Sequence, residues 1–301
     1  MKIGTRGSTL ALFQAHAVRD RLAAAHGLDR DAIEIVVIRT TGDTVQDRPL
    51  ADIGGKGLFT KEIEQALLSG AIDLAVHSAK DMPTRLPDGL CFAACLARED
   101  AREAFLSTKA VSLAALAPGS RVGTASPRRQ ALVKRLRPDL TVVSLRGNVE
   151  TRLRKLADGV ADATILALAG LKRLGLESRA THIMSEDEFL PAAGQGAIAI
   201  ETRTADTRVN ALVAAIDHAD TTTALLAERA FLDVLDGTCR TPIAAHAAVV
   251  GDAVQFRGIV VKPDGSAAHD IAGTGHRKDA AEIGAQAGRE LKHRAGPGFL
   301  E

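Results

Sequence analysis

The hydrophobic and polar positions of this chain alternate between two periods, which predicts an α/β fold. Short runs of apolar and β-branched residues, such as IEIVVIRT at 33–40 and DLAVHS at 73–78, are typical of buried strands. Between them, apolar residues recur every three or four positions, as in LFTKEIEQALL at 58–68, which is typical of helices. Strands that alternate with helices in this way favour mainly parallel sheets.

A strand-to-helix unit with a similar turn occurs twice, which predicts two domains of similar fold. IGTRGS at 3–8 and VGTASP at 122–127 each place Gly-Thr after a strand and a serine before a helix, and Ser8 is an expected N-cap. The strand-like segment AIAIET at 197–202 has no sheet of its own, so we expect it to return to the first domain. Two crossings between the lobes would form a hinge, with a ligand bound in the cleft at the carboxyl ends of the strands.

The pattern changes in the last part of the chain. A long helical segment, TTTALLAERAFLDVL at 221–235, precedes three strand-like segments and a last helix near 280–292. This order predicts a small α+β domain with an antiparallel sheet. We therefore expect an α/β lobe of residues 1–96 with 197–214, a second α/β lobe of residues 102–190, and an α+β domain of residues 219–301.

Composition narrows the classes of ligand. The chain has no Trp, no Tyr and only 8 Phe, which argues against proteins that bind single-stranded nucleic acid by stacking bases on aromatic rings. The net charge is only +1, but Lys and Arg are concentrated in one region. Only Asp139 and Glu150 oppose these cations, which are Arg121, Arg128, Arg129, Lys134, Arg135, Arg137, Arg146, Arg152, Arg154 and Lys155. A region this positive in a nearly neutral chain indicates an anionic ligand.

The 3 cysteines differ in their surroundings. Cys91 and Cys95 alternate with apolar residues, so we expect both thiols on one face of a strand as packing groups. Cys239 lies in a loop between Gly237 and Pro242, beside a guanidinium that favours the reactive thiolate. A buried structural cysteine is the alternative interpretation.

The cysteines and the apolar runs also bear on location. Three cysteines cannot all pair and form no zinc-binding cluster, so we expect a reducing compartment and no bound metal. The first residues do not form an export signal, and the longest apolar stretch is too short to span a bilayer. We therefore expect a cytoplasmic protein without a membrane partner.

Three polar residues follow the predicted strand at 73–78. Ser78, Lys80 and Asp81 stand where an α/β domain presents functional groups. A carboxylate in a cleft walled by arginines could stay ionised and stabilise a cation formed during a reaction. An ordinary surface Lys–Asp pair is the alternative.

Arginines occur at two strand-to-helix turns. Thr124, Ser126, Arg128 and Arg129 stand at a predicted helix N-terminus, where backbone N–H groups and guanidinium groups can bind a carboxylate or phosphate. Two cations there oppose the helix dipole unless a counter-anion is present, which we take as the sign of a ligand. Arg146 and Arg152 repeat the arrangement, although single arginines are more often solvated surface residues.

The segment GGKG at 54–57 fails the phosphate-loop pattern, because Leu50 and Gly57 occupy positions that require Gly and Ser or Thr. A mobile glycine-rich segment that brings Lys56 to an anion and a plain surface loop are both possible.

Nine motifs, in order from residue 5 to residue 243, resemble those of the porphobilinogen deaminase family, also called hydroxymethylbilane synthases. The motifs are TRGSTLAL, TTGD, GGKGLFTKE, DLAVHSAKDMP, VGTASPRRQ, SLRGNVETRL, LALAGLKRLGL, LPAAGQGAIAIE and DGTCRTPI. The resemblance implies two lobes similar to type II periplasmic binding proteins and a third domain that carries the cysteine. It also implies a cytoplasmic monomer that takes part in tetrapyrrole biosynthesis.

The resemblance implies a specific reaction and cofactor. Cys239 would form a thioether to a dipyrromethane cofactor, to which four porphobilinogen molecules are added with loss of ammonia. Hydroxymethylbilane, a linear tetrapyrrole, would then be released by hydrolysis. Asp81 would contact pyrrole N–H groups and stabilise the cation left by ammonia. The residues expected to bind cofactor and substrate are Arg6, Ser8, Lys56, Ser78, Lys80, Thr124, Ser126, Arg128, Arg129, Arg146, Arg152, Arg173 and Gln195.

Some positions depart from the family pattern. Thr9 replaces a proline, Asp52 stands where some relatives have lysine, and Thr238, Arg240 and Thr241 surround Cys239 where G-G-C-Q-V-P is common. None of these changes removes a group that the chemistry needs.

Two functions of other classes compete with the enzyme. A solute-binding protein for an anionic ligand would share the lobes, but it would need an export signal and has no use for Cys239. A nucleic-acid binder is disfavoured by the scarcity of aromatic residues and the nearly neutral net charge.

Overall fold

The computed structural model describes residues 1–44, 59–238 and 241–300. Two predicted site residues, Lys56 and Cys239, lie outside the described residues. The strands, numbered in chain order, are β1 (Lys2–Thr5), β2 (Glu34–Val37), β3 (Leu74–Ser78), β4 (Leu90–Cys95), β5 (Glu103–Ser107), β6 (Arg121–Gly123), β7 (Thr141–Val143), β8 (Ala163–Ala167), β9 (His182–Met184), β10 (Ile198–Arg203), β11 (Ile243–Val250), β12 (Ala253–Val261) and β13 (Ala268–His276).

Helices connect and cover these strands. They are α1 (Thr9–His26), α2 (Thr41–Thr44), α3 (Lys61–Leu68), α4 (Pro127–Leu136), α5 (Val149–Ala157), α6 (Leu168–Arg173), α7 (Thr207–Ala214), α8 (Ala219–Val234) and α9 (Ala280–Ala295). Within the described ranges, no helix is both long and apolar enough to cross a membrane.

The first sheet has the strand order β2-β1-β3-β10-β4, and we call it with its helices the first lobe. β1, β2 and β3 are mutually parallel, whereas β10 runs antiparallel between β3 and β4. The predicted return of the segment 197–202 to the first sheet is therefore confirmed. Ile3, Leu74 and Ile200 of this sheet pack against Val18 of α1 and Val213 of α7.

The second sheet, which with its helices forms the second lobe, repeats this topology in the order β7-β6-β8-β5-β9. β5 runs antiparallel between β8 and β9, so four of the five strands in each sheet share one direction. The prediction of two mainly parallel α/β lobes is confirmed. The sequence pattern did not predict β5 or β9, because the residues before β5 are mostly charged and β9 has only three residues.

The third sheet, β11-β12-β13, is antiparallel and is covered by α8 and α9, as the pattern predicted. The rings of Phe231 in α8 and Phe256 in β12 lie 5.1 Å apart at the centre of this core. A Cβ at Gly284 would lie 1.9 Å from the carbonyl oxygen of Ala227, so only glycine allows α9 to approach α8 this closely. We call this unit the third domain; the limits of all three domains remain a prediction.

Cys91 and Cys95 lie in a strand as predicted, but the prediction that both thiols share one face of it is wrong. Cys91 pairs with Thr202 and Cys95 pairs with Ala199, and a β-bulge at Ala93 breaks the alternation between them. Their partners are three residues apart on β10, so the two thiols point to opposite faces of the sheet. The Cys95 thiol contacts Thr222 of α8, and burial raises its pKa to about 12.

Candidate active site

The carboxyl end of β3 carries the predicted catalytic aspartate. The strand continues directly into a short 3-10 turn, Ala79–Asp81. Ser78 is held by α1, because the side-chain amide of Gln14 donates to its hydroxyl at 2.8 Å. Asp81 is exposed, and its carboxylate makes no hydrogen bond or ion pair with the described residues.

A cavity beside this turn brings together four predicted site residues of the first lobe, Arg6, Ser8, Ser78 and Asp81. The Ser8 hydroxyl caps α1 as predicted, because it accepts from the N–H of Ala11 at 3.2 Å. The guanidinium of Arg6 lies 4.2 Å from the centre of the Phe59 ring, in a cation–π contact. The cavity therefore has a cation, hydroxyl groups and a carboxylate on its walls.

The second lobe contributes the turn before α4. Ser126 is the N-cap, and its hydroxyl accepts from the N–H of Arg129 at 3.4 Å. The hydroxyl of Thr124 accepts from the N–H of Ser126 at 3.1 Å, and Thr124 is buried. These local bonds explain why Thr and Ser precede Pro127, which occupies the first turn of the helix.

Arg128 and Arg129 have a counter-anion within the protein. Both side chains are buried on the carboxylate of Glu103, the first residue of β5. Arg129 donates from Nε and Nη2 at 3.0 and 2.8 Å, and Arg128 donates from Nη2 to the same carboxylate and from Nη1 to the Leu190 carbonyl at 2.8 Å. Our interpretation that these arginines lack a counter-anion without a ligand is therefore wrong.

The sequence did not reveal this counter-anion because its pattern did not predict strand β5. β5 runs antiparallel to its neighbours, so its first residue, Glu103, pairs with Ala167 at the carboxyl end of β8. β6 is parallel to β8 and leads into α4 at the same edge of the sheet. Burial alone would raise the pKa of Glu103, but the charges of Arg129 and Arg128 outweigh this effect and hold the pKa well below its usual range. The excess of cations over acids at 121–155 was the one sequence signal that pointed to an acidic partner elsewhere in the chain.

Lys80 connects the first lobe to this group. Its Nζ donates to the side-chain oxygen of Gln195 at 3.1 Å, and the Gln195 amide donates to the Ala101 carbonyl at 2.8 Å. Gln195 is fully buried between the two chain crossings, so both ends of its amide have protein partners. Burial, and then the charge of Arg129, lowers the pKa of Lys80 to about 8.

Arg152 approaches Asp81 from the other lobe. Burial, and then the charge of Arg129, lowers the pKa of Arg152 to about 10, although the charge of Asp81 opposes both effects. The Nε of Arg152 donates to the carbonyl of Gly147 at 2.8 Å, which fixes the side chain at the start of α5. Arg146 is partly buried on the same turn and also acts on Arg152.

Arg173, the last residue of α6, contacts both segments that join the lobes. Its Nη2 donates to the carbonyl of Gly196 at 2.7 Å, and its charge interacts with Glu99 on the other crossing. Burial lowers the pKa of Arg173, as expected for a guanidinium with one carbonyl partner. Gln195 therefore belongs to a segment that joins the lobes, and Arg173 of α6 is hydrogen-bonded to the residue that follows it.

The segment before Cys239 lies close to the aspartate turn. The hydroxyl of Thr84, three residues after Asp81, donates to the carbonyl of Gly237 at 2.9 Å. Arg229 of α8 donates to the carbonyls of Pro83 and Thr84 at 3.0 and 2.8 Å. The third domain thus approaches the first lobe directly behind the turn that presents Asp81.

Comparison with known proteins agrees with these observations. The family model described as the porphobilinogen deaminase dipyrromethane cofactor binding domain matches residues 1–211, and the model of the porphobilinogen deaminase C-terminal domain matches residues 222–293. This chain belongs to the porphobilinogen deaminase family. The porphobilinogen deaminases of Nitrobacter hamburgensis and Nitrobacter winogradskyi are 62% and 61% identical to it, each over 99% of this chain and 94% of the relative.

Solved structures outside the porphobilinogen deaminase family show weaker similarity. The methionine-binding protein MetQ is 17% identical, with a TM-score of 0.46, over 72% of this chain and 89% of that chain. The periplasmic VFT2 domain of BvgS from Bordetella pertussis is 18% identical, with a TM-score of 0.44, over 72% of this chain and 86% of that chain.

Proposed function

We propose that this chain joins four porphobilinogen molecules, with loss of ammonia, into the linear tetrapyrrole hydroxymethylbilane, a step of tetrapyrrole biosynthesis. One observation carries the proposal: the exposed carboxylate of Asp81 makes no hydrogen bond or ion pair within residues 1–44, 59–238 and 241–300, yet it faces cations of both lobes. Such an arrangement suits a substrate that bears several carboxylates and forms a cation when ammonia leaves. Membership of the porphobilinogen deaminase family supports the choice of substrate.

The donor groups fit a dipyrromethane cofactor held by Cys239. A dipyrromethane carries acetate and propionate side chains, and the Nη1 of Arg129 has no hydrogen-bond acceptor among the described residues. Bound through the thiol, this group would supply the pyrrole carbon to which the first substrate is joined. Gly237, two residues before Cys239, contacts Thr84, which supports a thiol close to Asp81.

Asp81 is the proposed catalytic residue. Its carboxylate would accept hydrogen bonds from pyrrole N–H groups and stabilise the cation produced when ammonia leaves, because a fixed negative charge in a cleft is effective against a developing positive charge. Arg152 and Lys80 interact electrostatically with this carboxylate and would also attract the carboxylates of the substrate.

The binding role falls to the side chains around this turn. Carboxylates of cofactor and substrate would be bound by the proposed set, Arg6, Ser8, Lys56, Ser78, Lys80, Thr124, Ser126, Arg128, Arg129, Arg146, Arg152, Arg173 and Gln195. Arg128, Arg173 and Gln195 already use protein partners, so their contribution would be to shape the site as much as to contact a ligand.

We also propose a cytoplasmic monomer that acts on a small molecule and binds neither nucleic acid nor membrane. Cys91 and Cys95 are free thiols, which agrees with a reducing compartment. Gel filtration with light scattering would measure the mass in solution, and a dimer would contradict this part of the proposal.

The mass of the intact protein tests the cofactor. Protein from a porphyrin-making host should carry an excess equal to two pyrrole units joined through sulfur, and peptide mapping should locate it on Cys239. Cys239→Ser should lose both the excess mass and bilane formation from porphobilinogen, whereas the matched control Cys91→Ser should keep them. An unmodified Cys239 in active protein would overturn the assignment.

A further inference from the structure

One buried carboxylate, that of Glu103, faces three cations of the cleft. It accepts two hydrogen bonds from Arg129, at 3.0 and 2.8 Å, and one from Arg128. Lys80, which comes from the other lobe, interacts electrostatically with the same carboxylate. Glu103 has no exposed surface, so water does not screen its charge and its effect on these cations is large.

The hydrogen bonds fix the orientation of the Arg129 guanidinium. A carboxylate that accepts from Nε and Nη2 together holds the planar group by one edge. The third nitrogen, Nη1, has no acceptor among the described residues. The charge of Arg129 acts on Lys80 of the first lobe and on Arg152 of the second.

The charge of Glu103 also affects the protonation of Lys80. The charged groups that face Lys80 are Arg128 and Arg129 on α4, Asp81 on its own turn and Glu103 on β5. Burial and the two arginines lower the pKa of Lys80, whereas Asp81 and Glu103 raise it. Without Glu103, the neutral amine would therefore be more abundant at neutral pH.

We propose that Glu103 is a positioning residue of this site, which holds the guanidinium groups of Arg128 and Arg129 in a fixed orientation and acts as an internal counter-charge in a cleft for an anionic ligand. The proposal rests on the function proposed above for the cleft. Glu103 itself touches no ligand: both of its oxygens are used by the arginines.

Competitive acetylation of the full-length protein, read by peptide mapping, measures the neutral fraction of Lys80 without any assay of activity. Glu103→Gln keeps the side-chain length but removes the charge, so acetylation of Lys80 at pH 7 should rise about fivefold if its pKa falls by about one unit from about 8. Glu103→Asp keeps the charge and should leave the rate within about twofold of the wild-type value. The matched control is Glu201→Gln, a fully buried carboxylate on His77 that should leave Lys80 acetylation unchanged.

Arg129→Gln should change the acetylation of Lys80 in the opposite direction, because the arginine lowers the pKa of this lysine. Slower acetylation in Arg129→Gln and faster acetylation in Glu103→Gln would support the proposed electrostatic role. Unchanged acetylation in Glu103→Gln, or a change of equal size in Glu201→Gln, would overturn it.

Glu103→Asp tests the orientation of Arg129, and it also serves if Glu103→Gln does not fold. Its shorter side chain cannot hold both arginines in the same way, so KM for porphobilinogen should rise on the order of tenfold while kcat changes little. An unchanged KM in a folded Glu103→Asp protein would refute the positioning role. If the wild-type protein formed no hydroxymethylbilane from porphobilinogen, the proposed function would be wrong. The acetylation rates would still test the electrostatic effect of Glu103 on Lys80.

Discussion

Replacement of Glu228 by alanine should weaken the junction of the three domains. Glu228 on α8 is fully buried and accepts from Arg98 at 2.6 and 3.3 Å, from the N–H of Gly194 at 2.5 Å and from the N–H of Ala247 at 2.7 Å. Loss of one partner from a buried ion pair costs about 3–5 kcal/mol. Arg98 keeps carbonyl acceptors on Gln195 and Ala247, but two buried N–H groups lose theirs, so we expect about 4 kcal/mol.

Thermal unfolding followed by circular dichroism measures this effect. A loss of about 4 kcal/mol should lower Tm by roughly 10 °C. The matched control is Glu282→Ala, which removes the carboxylate of an exposed ion pair with Arg289 in the same domain and should cost less than about 1 kcal/mol. If the two variants had the same Tm, the network around Glu228 would carry no stability and our reasoning would be refuted.

Three further predictions concern other sites. Asp81→Asn should slow bilane formation on the order of a hundredfold if an electrostatic contribution of about 3 kcal/mol is lost, and near-normal turnover would reduce Asp81 to a surface group. Asp162→Asn should destabilise the protein at pH 7, because the backbone N–H of Arg121 and the ammonium of Lys109 lower the pKa of Asp162 from 3.8 to about 2. Since the folded-state pKa is the lower one, this stability exists above pH 3.8 and is lost as pH falls to about 2, so urea titrations of the two proteins should converge there. Gly284→Ala should cost at least about 2 kcal/mol by pushing α9 from α8, whereas Gly273→Ala, whose Cβ would meet Ile283 at 3.9 Å, should be nearly neutral in the same titration.

The sequence predicted the helices and strands whose apolar residues recur at regular intervals. The strand at 73–78, the helices after Ser8 and before Cys239, and the return of 197–202 to the first sheet all appear in the structure. These elements have apolar runs or caps whose signals are local. The carboxyl ends of the predicted strands place Ser78, Asp81, Ser126 and Arg129 at the cleft.

The sequence did not predict features that depend on contacts between distant segments. β5 follows charged residues, and its place in the sheet depends on pairing with the distant strands β8 and β9. Without that strand, Glu103 could not be recognised as the partner of Arg128 and Arg129. The bulge at Ala93 likewise depends on the register of β4 against β10, and the residue alternation alone gave the wrong face for one thiol.

The position of β10 in the first sheet sets the order in which the lobes can be completed. During synthesis, the chain leaves the first lobe at Cys95 and does not supply the partner of β3 and β4 until Ile198 has been made. β4 pairs only with β10 among the described strands, so until then its edge has no neighbour in the sheet. All five strands of the second sheet lie between these two points in the chain. The second lobe can therefore close on the ribosome while the first, although synthesised earlier, still has exposed strand edges.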